Sequence, residues 1–195
     1  GVPVELCTYE EDDFQIDIDR FESVITDRTK AIIINTPSNP SGSCLSLETM
    51  KKVSEVVIKH DLLVIADDIY TELSFQNPFV PIASLPGMRE RTICINSFSK
   101  NFLLTGWRVG NIVAPAKFIN VIRRINETMC YAAPNISQRA AIHALRHKDE
   151  FVPQFVEEYR QRMYYAAERV NQIPWMSVLY PPKGSFYLFI NIKKS

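Results

Sequence analysis

Lys100 stands in Ser97-Phe98-Ser99-Lys100, directly after the apolar run Thr92 to Asn96, and Arg108 follows in Thr105-Gly106-Trp107-Arg108-Val109-Gly110. Upstream lie Asn39, in Asn39-Pro40-Ser41-Gly42, and the pair Asp67 and Tyr70, in Asp67-Asp68-Ile69-Tyr70. Together these supply an amine, a carboxylate, a phenol, an amide, two hydroxyls and a guanidinium. A lysine amine can form an imine with an aldehyde, provided its site lowers its pKa or traps the product. A carboxylate can hold a ring nitrogen protonated. The planar, permanently charged fork of an arginine suits a phosphate. The set is what a protein needs to hold pyridoxal 5′-phosphate (PLP) and run imine chemistry on it.

Such groups are useful only if one edge of the molecule collects them. Lys30 to Asn35, Leu62 to Ala66 and Thr92 to Asn96 are short continuous apolar runs. Runs of that kind suit parallel strands buried on both faces. Between the first two, Leu47 to His60 places Leu47, Met50, Val53, Val56 and Val57 at helical spacing. Ser46 suits its N-cap and Glu48 its first turn. Strand, helix, strand implies a parallel crossover. Ligands of open parallel sheets gather outside the carboxyl ends of the strands. Asn39 follows the first strand, Asp67 ends the second, and Ser97, Ser99 and Lys100 follow the third. All are therefore expected on one rim.

Arg108 to Ala114 reads as a further strand of undetermined direction. From Pro115 the pattern turns helical, with Phe118, Val121, Ile122 and Ile125 on one face. Further helices are expected over Ser137–Arg146 and Phe151–Val170, the latter tolerating Pro153 near its start. Ser177 to Leu179, a turn at Pro181 to Gly184 and a strand over Phe186–Ile192 complete the chain. The fold class is α/β: a three-layer, mostly parallel sheet over residues 1–145, and part of a small α+β domain over 146–195.

The chain has 195 residues, 46% apolar, with 22 basic and 22 acidic side chains. Charge balance gives no sign of a nucleic-acid partner, and no apolar run has the length of a membrane span. Cys7, Cys44, Cys94 and Cys130 are scattered, so buried, reduced cysteines in a cytoplasmic protein are expected rather than disulfides or zinc ligands. His143 and His147 read as helix-surface residues. Gly1-Val2-Pro3-Val4 does not resemble a signal peptide and carries no starting Met, so upstream sequence is expected.

The ordered motifs Asn39-Pro-Ser-Gly, Asp67-Asp-Ile-Tyr, Ser97-Phe-Ser-Lys and Thr105-Gly-Trp-Arg-Val-Gly resemble those of the class I/II aminotransferases, PLP enzymes of fold type I. Thr105-Gly-Trp-Arg-Val-Gly110 most resembles the aspartate, aromatic and kynurenine type. Pro181-Pro-Lys-Gly-Ser-Phe-Tyr-Leu-Phe189 resembles a strand region of that family's smaller domain. The resemblance implies that Lys100 binds the PLP aldehyde and moves the substrate Cα proton. It implies that Asp67 pairs with the pyridine nitrogen, and that Tyr70 and Asn39 contact the phenolic oxygen. Ser97, Ser99 and Arg108 would receive the phosphate, with Gly106 and Gly110 allowing close approach. It also implies amino-acid and 2-oxo-acid substrates, a homodimer and a cis Asn39–Pro40 bond.

Family members are considerably longer, and a phosphate-binding helix start, a ring-stacking aromatic and a carboxylate-binding arginine have no counterpart here. The chain therefore reads as an internal fragment, inactive by itself. The same lysine, aspartate and tyrosine would also serve a PLP-dependent β-lyase, decarboxylase or synthase. Two further alternatives are the effector domain of an aminotransferase-like transcription regulator and a non-catalytic interaction module.

Overall fold

The computed structural model describes residues 1–192. Its main sheet has four strands in the order β1 (Ala31–Asn35), β2 (Leu63–Asp67), β3 (Thr92–Ser97), β4 (Gly110–Val113). The first three run parallel and β4 runs antiparallel to β3. The architecture is thus α/β with a mostly parallel sheet. The link from β3 to β4, residues 98–109, is at the lower limit of length for a crossover, and the chain turns back instead.

Helix α1 (Ile18–Ser23) is capped by Asp17, whose side chain accepts from the Arg20 N–H at 3.0 Å. Helix α2 (Leu47–Lys59) starts where expected, with Ser46 Oγ accepting from the Thr49 N–H at 2.9 Å. Its Met50, Val53, Val56 and Val57 pack with Ile32 and Ile34 of β1 and Val64 and Ala66 of β2 in one core. Each fully buried valine contributes about 1.5–3 kcal/mol relative to exposure.

Burial of β1 departs from expectation. Ile32 and Ile34 are buried, but Ile33 is 72% exposed. The strand alternates because α2 covers one face, while the other borders an open, largely apolar groove of about 1210 Å³ that also touches Val4, Leu6, Phe14 and Ile65.

A short helix, α3 (Phe98–Asn101), follows β3 directly. Helix α4 (Ala116–Met129) has Pro115 at its N-cap, and none of its residues is fully buried. Val121 and Ile125, expected on its packed face, are exposed. Helix α5 (Asn135–Arg146) begins two residues before the expected Ser137 and supplies Ala141 to a second cluster with Phe98 and Val109. Helix α6 (Lys148–Asn171) begins before the expected Phe151, and Pro153 lies inside it near the start.

The expected strand over Phe186–Ile192 is reduced to β6 (Asn191–Ile192), paired antiparallel with β5 (Met176–Ser177). β-Branched and aromatic residues favour strands only where a partner strand offers its hydrogen bonds. Here Phe186 and Tyr187 pack on other aromatic rings instead. Residues 193–195, the end of the expected second domain, lie outside the described residues.

Asn39–Pro40 is cis, as expected, and so are Thr36–Pro37 and Tyr180–Pro181. All four cysteines are free, but the expected burial holds for Cys94 alone: Cys44 is half-buried, and Cys7 and Cys130 are exposed. His143 is exposed on α5, and His147 Nδ1 lies 2.8 Å from Glu150 Oε1. No helix among the described residues is long and apolar enough to cross a membrane.

Candidate active site

The register of the sheet sets the rim. Asn35, the last residue of β1, lies directly opposite Asp67, the last residue of β2, and Asp67 lies opposite Ile95 of β3. The Asn35 side-chain amide donates to the Asp67 backbone carbonyl at 3.0 Å and to its carboxylate Oδ2 at 3.2 Å. Its own carbonyl, Oδ1, accepts from the Asn39 backbone N–H at 2.7 Å. Asp67 is half-buried, and that burial raises its pKa above the ordinary aspartate value. Donation from Asn35 to the carboxylate works against the rise.

Strand alternation separates the two adjacent carboxyl groups. Asp67 stays at the rim with Asn35, whereas Asp68 is buried and takes a hydrogen bond from the Cys94 thiol. Burial, reinforced by the neighbouring Asp67 charge, pushes Asp68 up to about 6. Burial also pushes the Cys94 thiol up to about 11.

Tyr70 is fully enclosed, at 1% exposure. Its hydroxyl donates to the Tyr187 hydroxyl at 3.3 Å. Burial is the main cause that raises the Tyr70 pKa, and Tyr187 adds to it, while a hydrogen bond from Asn39 pulls the other way. Phe186 meets the Tyr70 ring edge-on at 5.4 Å between centroids, and the Lys100 Nζ lies 5.5 Å from the same Phe186 ring. Lys100, in α3 after β3, and Tyr70, in the turn after β2, thus share one aromatic neighbour. A buried amide fastens those two segments together. Asn101 accepts from the Glu72 N–H at 3.1 Å and donates to Thr71 Oγ1 at 2.9 Å.

The expected phosphate group of residues is looser. Ser97 Oγ accepts from the Ser99 N–H at 3.2 Å and so caps α3. The Phe98 N–H donates to the Val109 carbonyl at 3.2 Å, which lays the Arg108 segment beside that cap. Arg108 has a left-handed backbone, with φ 50°, and its guanidinium donates to the Thr105 carbonyl at 2.9 Å rather than to either serine. A Cβ on Gly110 would come within 2.6 Å of the Asn96 carbonyl oxygen, so glycine here lets β4 lie close against β3. A Cβ on Gly106 would meet no protein atom within 4 Å.

Asn35, Asn101, Phe186 and Tyr187 were not among the expected site residues. The two aromatics were visible as a Phe-Tyr pair after Lys183-Gly184-Ser185. The two amides carry no local signal, because their partners lie 32 and 29 positions away in the sequence.

The model of the family described as "Aminotransferase class I and II" matches residues 1–195. The chain is 38% identical over 196 residues to an aspartate aminotransferase of Pyrococcus abyssi, covering 99% of this chain and 50% of that protein. It is 37% identical over 196 residues to aromatic-amino-acid aminotransferase 2 of Thermococcus litoralis, with the same coverage. The crystal structure of an aromatic aminotransferase from Pyrococcus horikoshii superposes with a TM-score of 0.91 at 37% identity, over 96% of this chain and 51% of that one. The chain spans about half the length of the curated relatives it matches. With a family model matching from end to end and a sheet whose rim gathers Asn39, Asp67, Tyr70 and Lys100, this chain belongs to the class I and II aminotransferase family.

Proposed function

We propose that the protein carrying this chain is a PLP-dependent aminotransferase, moving an amino group between an amino acid and a 2-oxo acid. The observation that carries the reading is the shared aromatic neighbour of Lys100 and Tyr70, with the Asp67 charge near enough to Tyr70 to help raise its pKa. The donor set fits PLP. Asp67 Oδ1 makes no hydrogen bond among the described residues, which leaves it available to the ring nitrogen. Asn39 donates to the Tyr70 oxygen, which keeps the two side chains together for contact with one phenolic oxygen. Ser97, Ser99 and Arg108 form the phosphate side.

PLP, when bound, supplies an aromatic ring able to accept the electron pair released as the substrate Cα proton leaves. Asp67 would hold the ring nitrogen protonated. Its partly buried setting strengthens that ion pair, and Asn35 keeps it ionised. Lys100 Nζ would take the proton from the substrate Cα as a general base. Tyr70 and Asn39 would orient the ring, and Arg108 would neutralise phosphate charge. Residues 1–145 would form the cofactor-binding part and residues 146–195 part of the smaller domain. A cytoplasmic homodimer is the proposed working form.

The test is to incubate the full-length protein with PLP, reduce with borohydride, digest, and locate the phosphopyridoxyl mass. It is expected on Lys100 and absent from Lys100→Ala. Amino-group transfer to a 2-oxo acid should fall about 10²–10⁴-fold in Lys100→Ala. No label on Lys100, or undiminished transfer without it, would overturn the reading.

A further inference from the structure

We infer that Asn35 is a positioning residue which, through one amide group, both holds the Asp67 carboxylate ionised and fixes the loop that carries Asn39. The inference rests on the proposed PLP site for its consequence, although the contacts themselves do not.

Asn35 occupies the point where two cofactor-facing residues can be tied together. It ends β1 directly opposite Asp67. Its orientation is forced by its neighbours. The Asn39 N–H can only donate, so the atom facing it at 2.7 Å must be the side-chain carbonyl. The NH₂ group then faces two acceptors of Asp67, the backbone carbonyl at 3.0 Å and Oδ2 at 3.2 Å. Every bond is made with the donor and acceptor chemistry an amide has to offer.

No other residue type does all of this. Leucine keeps the volume but makes none of the three bonds. Aspartate keeps the shape and the acceptor for Asn39, but sets a second negative charge against Asp67. Serine and threonine are too short to span both partners. With the NH₂ occupying Oδ2, Oδ1 remains for a ligand. The ring nitrogen and the phenolic oxygen of one ligand would then be aligned by residues locked to the same side chain.

Asn35→Asp and Asn35→Leu separate this role from simple loop anchoring. Both are made in the full-length protein and read in three ways: PLP affinity by fluorescence, titration of ¹³C-carboxyl-labelled Asp67 without cofactor, and hydrogen exchange at the Asn39 amide. In Asn35→Leu, Asp67 should titrate at higher pH than in wild type, Asn39 should exchange faster, and PLP should bind about tenfold more weakly. In Asn35→Asp, Asn39 should remain protected, yet PLP should bind at least about tenfold more weakly near pH 8. That defect should shrink toward none as the pH falls, because the introduced carboxyl group, once protonated, regains a donor for Asp67.

A purely structural amide predicts the reverse, with Asn35→Asp resembling wild type at every pH. That outcome, or an unchanged Asp67 titration in Asn35→Leu, overturns the inference. If wild type takes up no PLP, the proposed function fails, while the cofactor-free titration and exchange still decide the role of Asn35.

Discussion

The Tyr70 and Tyr187 hydroxyls lie 3.3 Å apart, with Tyr70 donating. The bond links the turn after β2 to the segment that follows α6, across 117 positions of sequence. It also occupies the proton that Tyr70 would otherwise give to a ligand oxygen.

Tyr187→Phe should therefore do two things. Folding stability should fall by about 0.5–1.5 kcal/mol, the net worth of one hydrogen bond, as read by urea denaturation. With PLP bound, Tyr70 should donate fully to the cofactor's phenolic oxygen and favour its anion, so the visible absorption band should titrate at lower pH than in wild type. An unmoved band would show that Tyr187 does not compete for that proton.

Asn101 makes a prediction about stability alone. Its buried amide satisfies the Glu72 N–H and Thr71 Oγ1. Asn101→Leu keeps the volume but strands both groups, at a cost of about 1–3 kcal/mol. Thermal unfolding measures it, and a variant as stable as wild type would mean that water or a shifted side chain replaces the amide.

Gly42 lies in the loop carrying Asn39, with φ 69°. A Cβ there would come within 2.6 Å of the Tyr187 carbonyl oxygen, which is backbone and cannot swing away. Gly42→Ala should thus combine left-handed strain with a steric push between two segments of the candidate site. A loss of about 2 kcal/mol in urea denaturation is expected, together with weaker PLP binding.

Asp68 gives the molecule a pH dependence opposite in sign to that of an ion-paired carboxylate. Its folded pKa is raised to about 6, chiefly by burial, against roughly 3.9 in an unfolded chain. Between those values the folded state holds a proton the unfolded chain has lost, so stability falls as pH rises through this window. Asp68→Asn should be more stable than wild type by on the order of 2 kcal/mol near pH 8, with no advantage near pH 4. Chemical denaturation at both pH values is the check. An equal difference at the two pH values would mean the carboxyl group is not the cause.

Much of the sheet could be read from apolar runs. Ile32-Ile33-Ile34, Leu63-Val64-Ile65 and Thr92-Ile93-Cys94 lie in strands, and Ser46 and Glu48 mark the start of α2. What could not be read was anything decided by a distant partner. The direction of β4 depends on its pairing with β3, to which Gly110 and Val113 give no local clue. Ile33 reads as core because its neighbours are apolar, yet its burial depends on what covers that side of the sheet. Phe186 and Tyr187 have strand-forming side chains, but they find aromatic rings rather than a ladder. The site followed the same rule. Lys100, Asp67, Tyr70 and Asn39 sit in recognisable motifs, whereas Asn35 closes an ordinary apolar strand and gains its meaning from Asp67, 32 positions on.

The pairing of Asn35 with Asp67 makes strand alignment itself part of the chemistry. Alternate residues of a strand face opposite ways, so inserting or deleting one residue within β1 would turn the Asn35 side chain away from the carboxylate and send Ile32 and Ile34 off the α2 core. Length changes in the loop between Gly42 and Ser46 spare that alignment. Evolution and protein engineers alike should find the first stretch closed to one-residue shifts and the second more forgiving.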